Sequence, residues 1–238
     1  MKKVIFILIS LLFLSFIITA QEETLWDYPI KPGTEEWKTL KTKKQMVDVC
    51  QIPSEILNNI STSNLVIICL NYPMFYDYVA YNDERVGVKA IINHINGFSE
   101  LHKRENGISE LIKAYSKFPV LTQLQKDPAS KDYHMPYKLP FLELVLCDPV
   151  FLNKMNSIEL EEIRIVALDK YASKLQSPEV YSLFFNVKKT MLLIASVIDK
   201  QNIVVLSSEQ QELLKTFIKN YHNFPNELLT EVSKIITL

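Results

Sequence analysis

The residues best suited to metal or nucleophilic chemistry are four histidines, at 94, 102, 134 and 222, and three cysteines, at 50, 69 and 147. None of them forms H-E-x-x-H, H-x-H or Cys-x-x-Cys, the spacings that bring imidazoles or thiolates onto one metal. No metal site and no cofactor follows from them. A Gly-x-Ser-x-Gly nucleophile elbow is absent. Triads are set by geometry rather than by spacing, so a hydrolase site assembled across helices stays open as an alternative. Glu159, Glu161 and Glu162 crowd one helix start. Paired catalytic acids would look like this, but carboxylates there also suit the helix dipole while facing water, and that is the favoured reading. No catalytic residue is assigned.

Two aromatic segments are the candidates for binding. Tyr133, His134, Met135 and Tyr137 sit in a stretch, 125–140, with three prolines. That composition reads as a long loop, and long loops often carry function. The alternative is a connector whose aromatics tuck between two helical halves. Trp26 and Tyr28 lie in an opening interrupted by Pro29, Pro32 and Gly33. This reads as an extended arm over 21–33, because proline breaks helix and is poor in central strands. Its rings either plug onto the first helices or face a ligand; plugging is favoured, because aromatic side chains gain most from burial.

From residue 34 the punctuation is helical. Thr42 with Gln45 matches a capping box; Ser61 or Thr62, Asp83, and Ser208 with Gln211 mark further starts. Ser177-Pro178-Glu179 predicts the start of a long helix through Ile198. Asn96-Gly97 and Asn106-Gly107 predict helix stops, and after the long loop helix is expected to resume at Pro140. Ile203–Leu206 is the one β-like run, too little for a sheet. The expected fold is therefore all-α: an irregular, α-solenoid-like stack of helical hairpins, about ten helices, in a single domain over 34–238 with a subdivision allowed in the 125–140 loop. A register of apolar residues recurs upstream of Pro73, Pro119, Pro149 and Pro225. The spacing from Pro73 to Pro119 falls in the roughly 40–47-residue period of HEAT-like hairpins. Tyr72, Phe118 and Phe224, each just before a proline, are expected to fill the elbows.

Composition restricts location and partners. Met1, Lys2 and Lys3 precede an apolar run from Val4 to Ile18, broken only by Ser10 and Ser15 and followed by Ala20. This reads as a signal peptide over 1–20, cleaved after Ala20, with no membrane insertion afterwards. The destination is the periplasm, the cell surface or the medium. The net charge is −1, and loss of Lys2 and Lys3 makes the remainder more acidic, against nucleic-acid binding. Only four glycines occur, too few for a glycine-rich phosphate cradle. An odd number of thiols leaves at least one unpaired; a Cys50–Cys69 bridge is compatible with neighbouring helices.

The opening Trp26-x-Tyr-Pro-Ile-Lys-Pro-Gly-Thr-Glu-Glu-Trp37, Cys50-Gln-Ile-Pro53 and Cys69-Leu-Asn-Tyr-Pro73 resemble segments of a group of uncharacterised exported bacterial proteins. The resemblance covers about residues 25–120. It implies export and a helical module, and it carries no activity and no site residue. The expectation is a non-enzymatic, exported binding or scaffold protein recognising a protein or peptide, since helical stacks offer extended concave surfaces. The alternatives are the hydrolase above and a glycan-binding surface module using Trp26, Tyr28 and the Tyr133–Tyr137 loop. The oligomeric state is left open.

Overall fold

The structure, a computed structural model, describes residues 25–121, 135–181, 187–201 and 205–238, with the side chains of residues 135 and 136 outside it. The signal-peptide reading, Tyr133, His134, the Met135 side chain, Ile203 and Val204 lie outside the described residues. Within them the protein is helical, ten helices having seven residues or more, and there is no strand. After the arm come α1 (Glu35–Thr39), α2 (Lys43–Val49), α3 (Ser54–Asn59) and α4 (Thr62–Leu70). A 3-10 turn, Phe75–Ala80, leads to α5 (Glu84–His94), α6 (Asn96–Lys103) and α7 (Gly107–Lys117). Then follow α8 (Met135–Cys147), the short α9 (Pro149–Leu152), α10 (Ser157–Leu175) and α11 (Lys188–Gln201). Last come α12 (Ser208–Lys219) and α13 (Leu229–Ile236), separated by two 3-10 turns.

The core gathers round α8. Every residue from Leu139 to Leu146 is buried, so this helix is covered on all sides. It packs against α5, α7, α11 and the Phe75–Ala80 turn. A solenoid passes contacts only between successive repeats; here one central helix collects partners from both halves of the chain. Helix begins before Pro140 rather than at it, and Pro140 lies inside α8. It supplies no N–H to the ladder, and burial on every face of α8 offsets that loss. The proline register is not one motif either. Pro149 is the first residue of α9, capped by the Asp148 carboxylate, so it opens a helix where Pro73 and Pro225 follow helix ends.

Sequence punctuation holds where the cap is local. Thr42 and Gln45 form a reciprocal capping box, Ser61 accepts from the Asn64 N–H and Asp83 from the Arg85 N–H. The box at α12 is Ser207 with Gln210, one residue earlier than the motif suggested. Ser177 does not open a helix: its carbonyl accepts the Val180 and Tyr181 N–H groups and closes a turn. The two glycine stops are helix starts. Gly97 and Gly107 lie in the first turns of α6 and α7. They serve close approach: a Cβ at Gly107 would fall 2.0 Å from the Leu101 carbonyl oxygen. Gly33 alone takes a positive φ, +102°, which turns the arm into α1.

The helices end instead on distant cations. Arg104 reaches the Leu57 and Ile60 carbonyls of α3 at 2.6 and 2.7 Å. Arg85 donates to Ile218 and Lys219 at the end of α12, at 2.6 and 3.3 Å. Lys170 donates to Phe118 at 2.6 Å at the end of α7, and Lys154 to His102 near the end of α6. Each satisfies carbonyls that the helix leaves without partners and places positive charge at the negative pole of the dipole.

Candidate functional site

The arm is fixed by Tyr28. Its ring is 2 % exposed and its hydroxyl donates to the Ile68 carbonyl of α4 at 3.1 Å. Trp26 meets Tyr28 edge-on at 4.8 Å between ring centres, and Tyr72 lies on its other side at 6.3 Å. Tyr28 is thus the plug. Half-buried Trp26 lines an open hollow of roughly 620 Å³ with Leu25, Lys31, Tyr72, Phe75 and Lys138.

A second hollow of roughly 480 Å³ continues beyond Asn71 and Lys138, which line both. Its walls are Ile67 and Leu70 of α4, Ala114 and Lys117 of α7, and Phe118 with Pro119. Ile67 is 42 % exposed although every residue of α4 from Leu65 to Leu70 is apolar. Among the described residues, nothing covers this apolar face. Lys138 bridges the two hollows, donating to Asn71 Oδ1 at 2.9 Å with its ammonium 5.9 Å from the Phe75 ring centre. Lys113 is held by Glu110 at 2.8 Å, Lys31 by Asp27, and Lys117 is exposed.

Of the second aromatic segment, the structure describes the Tyr137 side chain. It is half-buried, edge-on to Tyr76 at 4.5 Å, and its carbonyl accepts the Tyr78 hydroxyl at 3.2 Å. It buttresses the turn beneath Phe75 and does not line the groove. Sequence reasoning missed Ile67, Leu70, Phe118 and Lys138. The signal for Ile67 was present: α4 has no polar face, and a short helix near the chain surface cannot bury every side.

One cluster of ionisable and hydroxyl groups lies wholly in the core. Glu143, Lys174, Thr190 and Tyr115 come from α8, α10, α11 and α7. Lys174 Nζ donates to both Glu143 oxygens at 2.8 and 2.9 Å, and the Lys174 and Glu143 side chains are 0 % exposed. Thr190 and Tyr115 donate to Glu143 Oε1 at 2.8 and 3.2 Å. Burial pushes the Lys174 ammonium below the ordinary lysine value, and Glu143 opposes the shift. The network has no opening to solvent. Its chemistry is to join four helices.

Cys50 and Cys69 do not form the bridge the sequence allowed: both are buried free thiols. Cys69 Sγ fills the space over Gly97, where a Cβ would come within 2.9 Å of it. The sulfur packs between α4 and α6 as a small apolar group. Among the described residues, no group of three His, Cys, Asp or Glu is arranged to hold a metal, and no helix is long and apolar enough to cross a membrane.

These burials predict the response to alkali. Burial raises Cys50 to about 11. It also raises Cys69, Cys147 and the phenols of Tyr28, Tyr72, Tyr78, Tyr115, Tyr181 and Tyr221. Groups raised in the fold give stability that is complete below their unfolded values and lost as pH climbs toward the folded ones. Burial depresses Lys43, Lys170, Lys174 and Lys188. These act in the opposite sense, since a folded state that sheds their protons early is relieved as pH rises. The thiols and phenols outnumber them. The urea midpoint should therefore hold steady at neutral pH and fall between about pH 9 and 11. A midpoint that rose over this window would show that the lysines dominate.

No protein-family model, curated protein or solved structure matches this chain.

Proposed function

We propose that this is an exported, non-enzymatic protein that binds an extended peptide in the groove between the arm, α4 and α7. Export rests on the basic start, the apolar run from Val4 to Ile18 and Ala20, and on the resemblance of residues 25–120 to exported helical proteins. The uncovered apolar face of α4, with Ile67 at its centre, carries the binding proposal. Exposed apolar surface rimmed by polar groups marks interaction sites. The groove offers aromatic walls at one end, an aliphatic floor at the other, and the ammonium groups of Lys117 and Lys138 along it. That pattern suits a segment carrying apolar side chains beside carboxylates.

Selection from a random peptide library displayed on phage, with the full exported chain as bait, tests this. Enriched sequences should combine apolar and acidic residues. Ile67→Glu puts a carboxylate into the floor at an exposed position, so the fold should survive while binding falls about tenfold or more. Equal enrichment by the Ile67→Glu protein would remove the groove from consideration.

A further inference from the structure

A separate hollow, roughly 280 Å³, opens where α11 meets the α5 start and the turn after α12; Lys188, Lys189, Tyr221, His222, Asn82 and Glu84 line it. Glu84 is engaged, its carboxylate 2.7 Å from Lys189 Nζ. Arg85, next in sequence, is forked onto Asp83 and the α12 carbonyls. Lys188 differs. It is 7 % exposed, and among the described residues its ammonium makes no ion pair or hydrogen bond, although the Glu84 charge acts on it from farther off. Its contact is the face of buried Tyr221, 5.1 Å from the ring centre, a ring that also carries Arg85 at 5.3 Å. Buried ammonium groups are normally paired. A cation–π contact replaces part of the lost hydration and makes no hydrogen bond, so the N–H donors are left to the hollow that Lys188 lines.

We propose that this hollow binds a phosphate-sized oxyanion, free or as a phosphomonoester, with Lys188 as its principal donor. Asn82 and His222 also line the hollow and carry further N–H groups, and Lys189 adds positive charge despite its bond to Glu84. Burial lowers the Lys188 ammonium, and like charge from Lys189 and Arg85 lowers it further, against a smaller opposing pull from Glu84. An arriving anion would relieve both effects. The site shares no lining residue with the peptide groove, and it stands or falls independently of that reading.

The test is thermal unfolding of the full chain with inorganic phosphate, glycerol phosphate, or acetate at matched ionic strength, for the unmodified protein and Lys188→Met. Phosphate should raise the midpoint of the unmodified protein in a saturable way, and acetate should not. Lys188→Met removes a charge without removing bulk, so the variant should melt no lower than its parent in the absence of phosphate. It should bind phosphate at least about tenfold more weakly, because a hydrogen bond to a charged group is lost. Tighter binding of glycerol phosphate than of phosphate would identify an ester as the source, and the reverse a free anion. An unchanged phosphate response in Lys188→Met, or equal stabilisation by acetate, would overturn the assignment.

Discussion

Lys174→Met should be one of the most damaging single substitutions in this protein, at about 3–5 kcal/mol. The cost is not the loss of one attraction. Glu143 is sealed among four helices, and without Lys174 its charge keeps only the hydroxyls of Thr190 and Tyr115 as donors. Glu143→Leu should be comparably harmful, because the ammonium would then retain Thr190 and the face of Tyr181, 5.3 Å away. The double variant is the informative one. Replacing both members of a buried pair by apolar groups is often neutral or stabilising, although here Thr190 and Tyr115 lose an acceptor. The double variant should therefore be more stable than either single one, a coupling well outside the additive case. Urea unfolding of the three proteins measures it. Strict additivity would mean that the pair is hydrated or loosely held.

What the sequence disclosed follows from the range of the interactions. Caps close within three residues, so Thr42 with Gln45 and Asp83 were legible directly, and the next cap was narrowed to Ser61 or Thr62. The glycine stops misled because glycine also serves close approach, and only the neighbouring helix decides which use applies. Gly107 sits against the Leu101 carbonyl, a contact that no local pattern announces. The true helix ends depend on Arg104, Arg85, Lys170 and Lys154, whose partners lie 44 to 134 residues away. Pro140 misled for a related reason: a proline in a helix is tolerated once the helix is buried on every face. Of the candidate groove, Trp26 and Tyr28 were visible as an aromatic arm. Its other wall required knowing that α4 and α7 lie side by side and that nothing described covers Ile67. The Lys188 hollow needed three elements far apart in sequence, and a lysine two residues beyond Asn186 gives no hint of burial.

The three aromatic residues before prolines should separate in a melting experiment, although their sequence patterns are alike. Phe224 is 3 % exposed and meets Phe217 edge-on at 5.0 Å. Tyr72 is buried beside Tyr28. Phe118 is only half-buried and forms part of the groove wall, while Lys170 holds its carbonyl. Truncating a fully buried phenylalanine costs about 3–5 kcal/mol, from lost transfer energy and from the cavity left behind. In a chain of this size each kcal/mol moves the thermal midpoint by about 2–4 °C. Phe224→Ala should therefore lower the midpoint by about 10 °C. Phe118→Ala removes less buried surface and leaves no closed cavity, so its shift should be less than about half as large. Its larger effect should be on peptide capture, because the lost ring belongs to the groove wall beside Pro119. The two readouts together separate elbow from wall: Phe224→Ala should melt low and bind its peptide normally at a temperature where it is folded. If Phe118→Ala melted as low as Phe224→Ala and still bound peptide, Phe118 would be an elbow after all, and the groove would end before it.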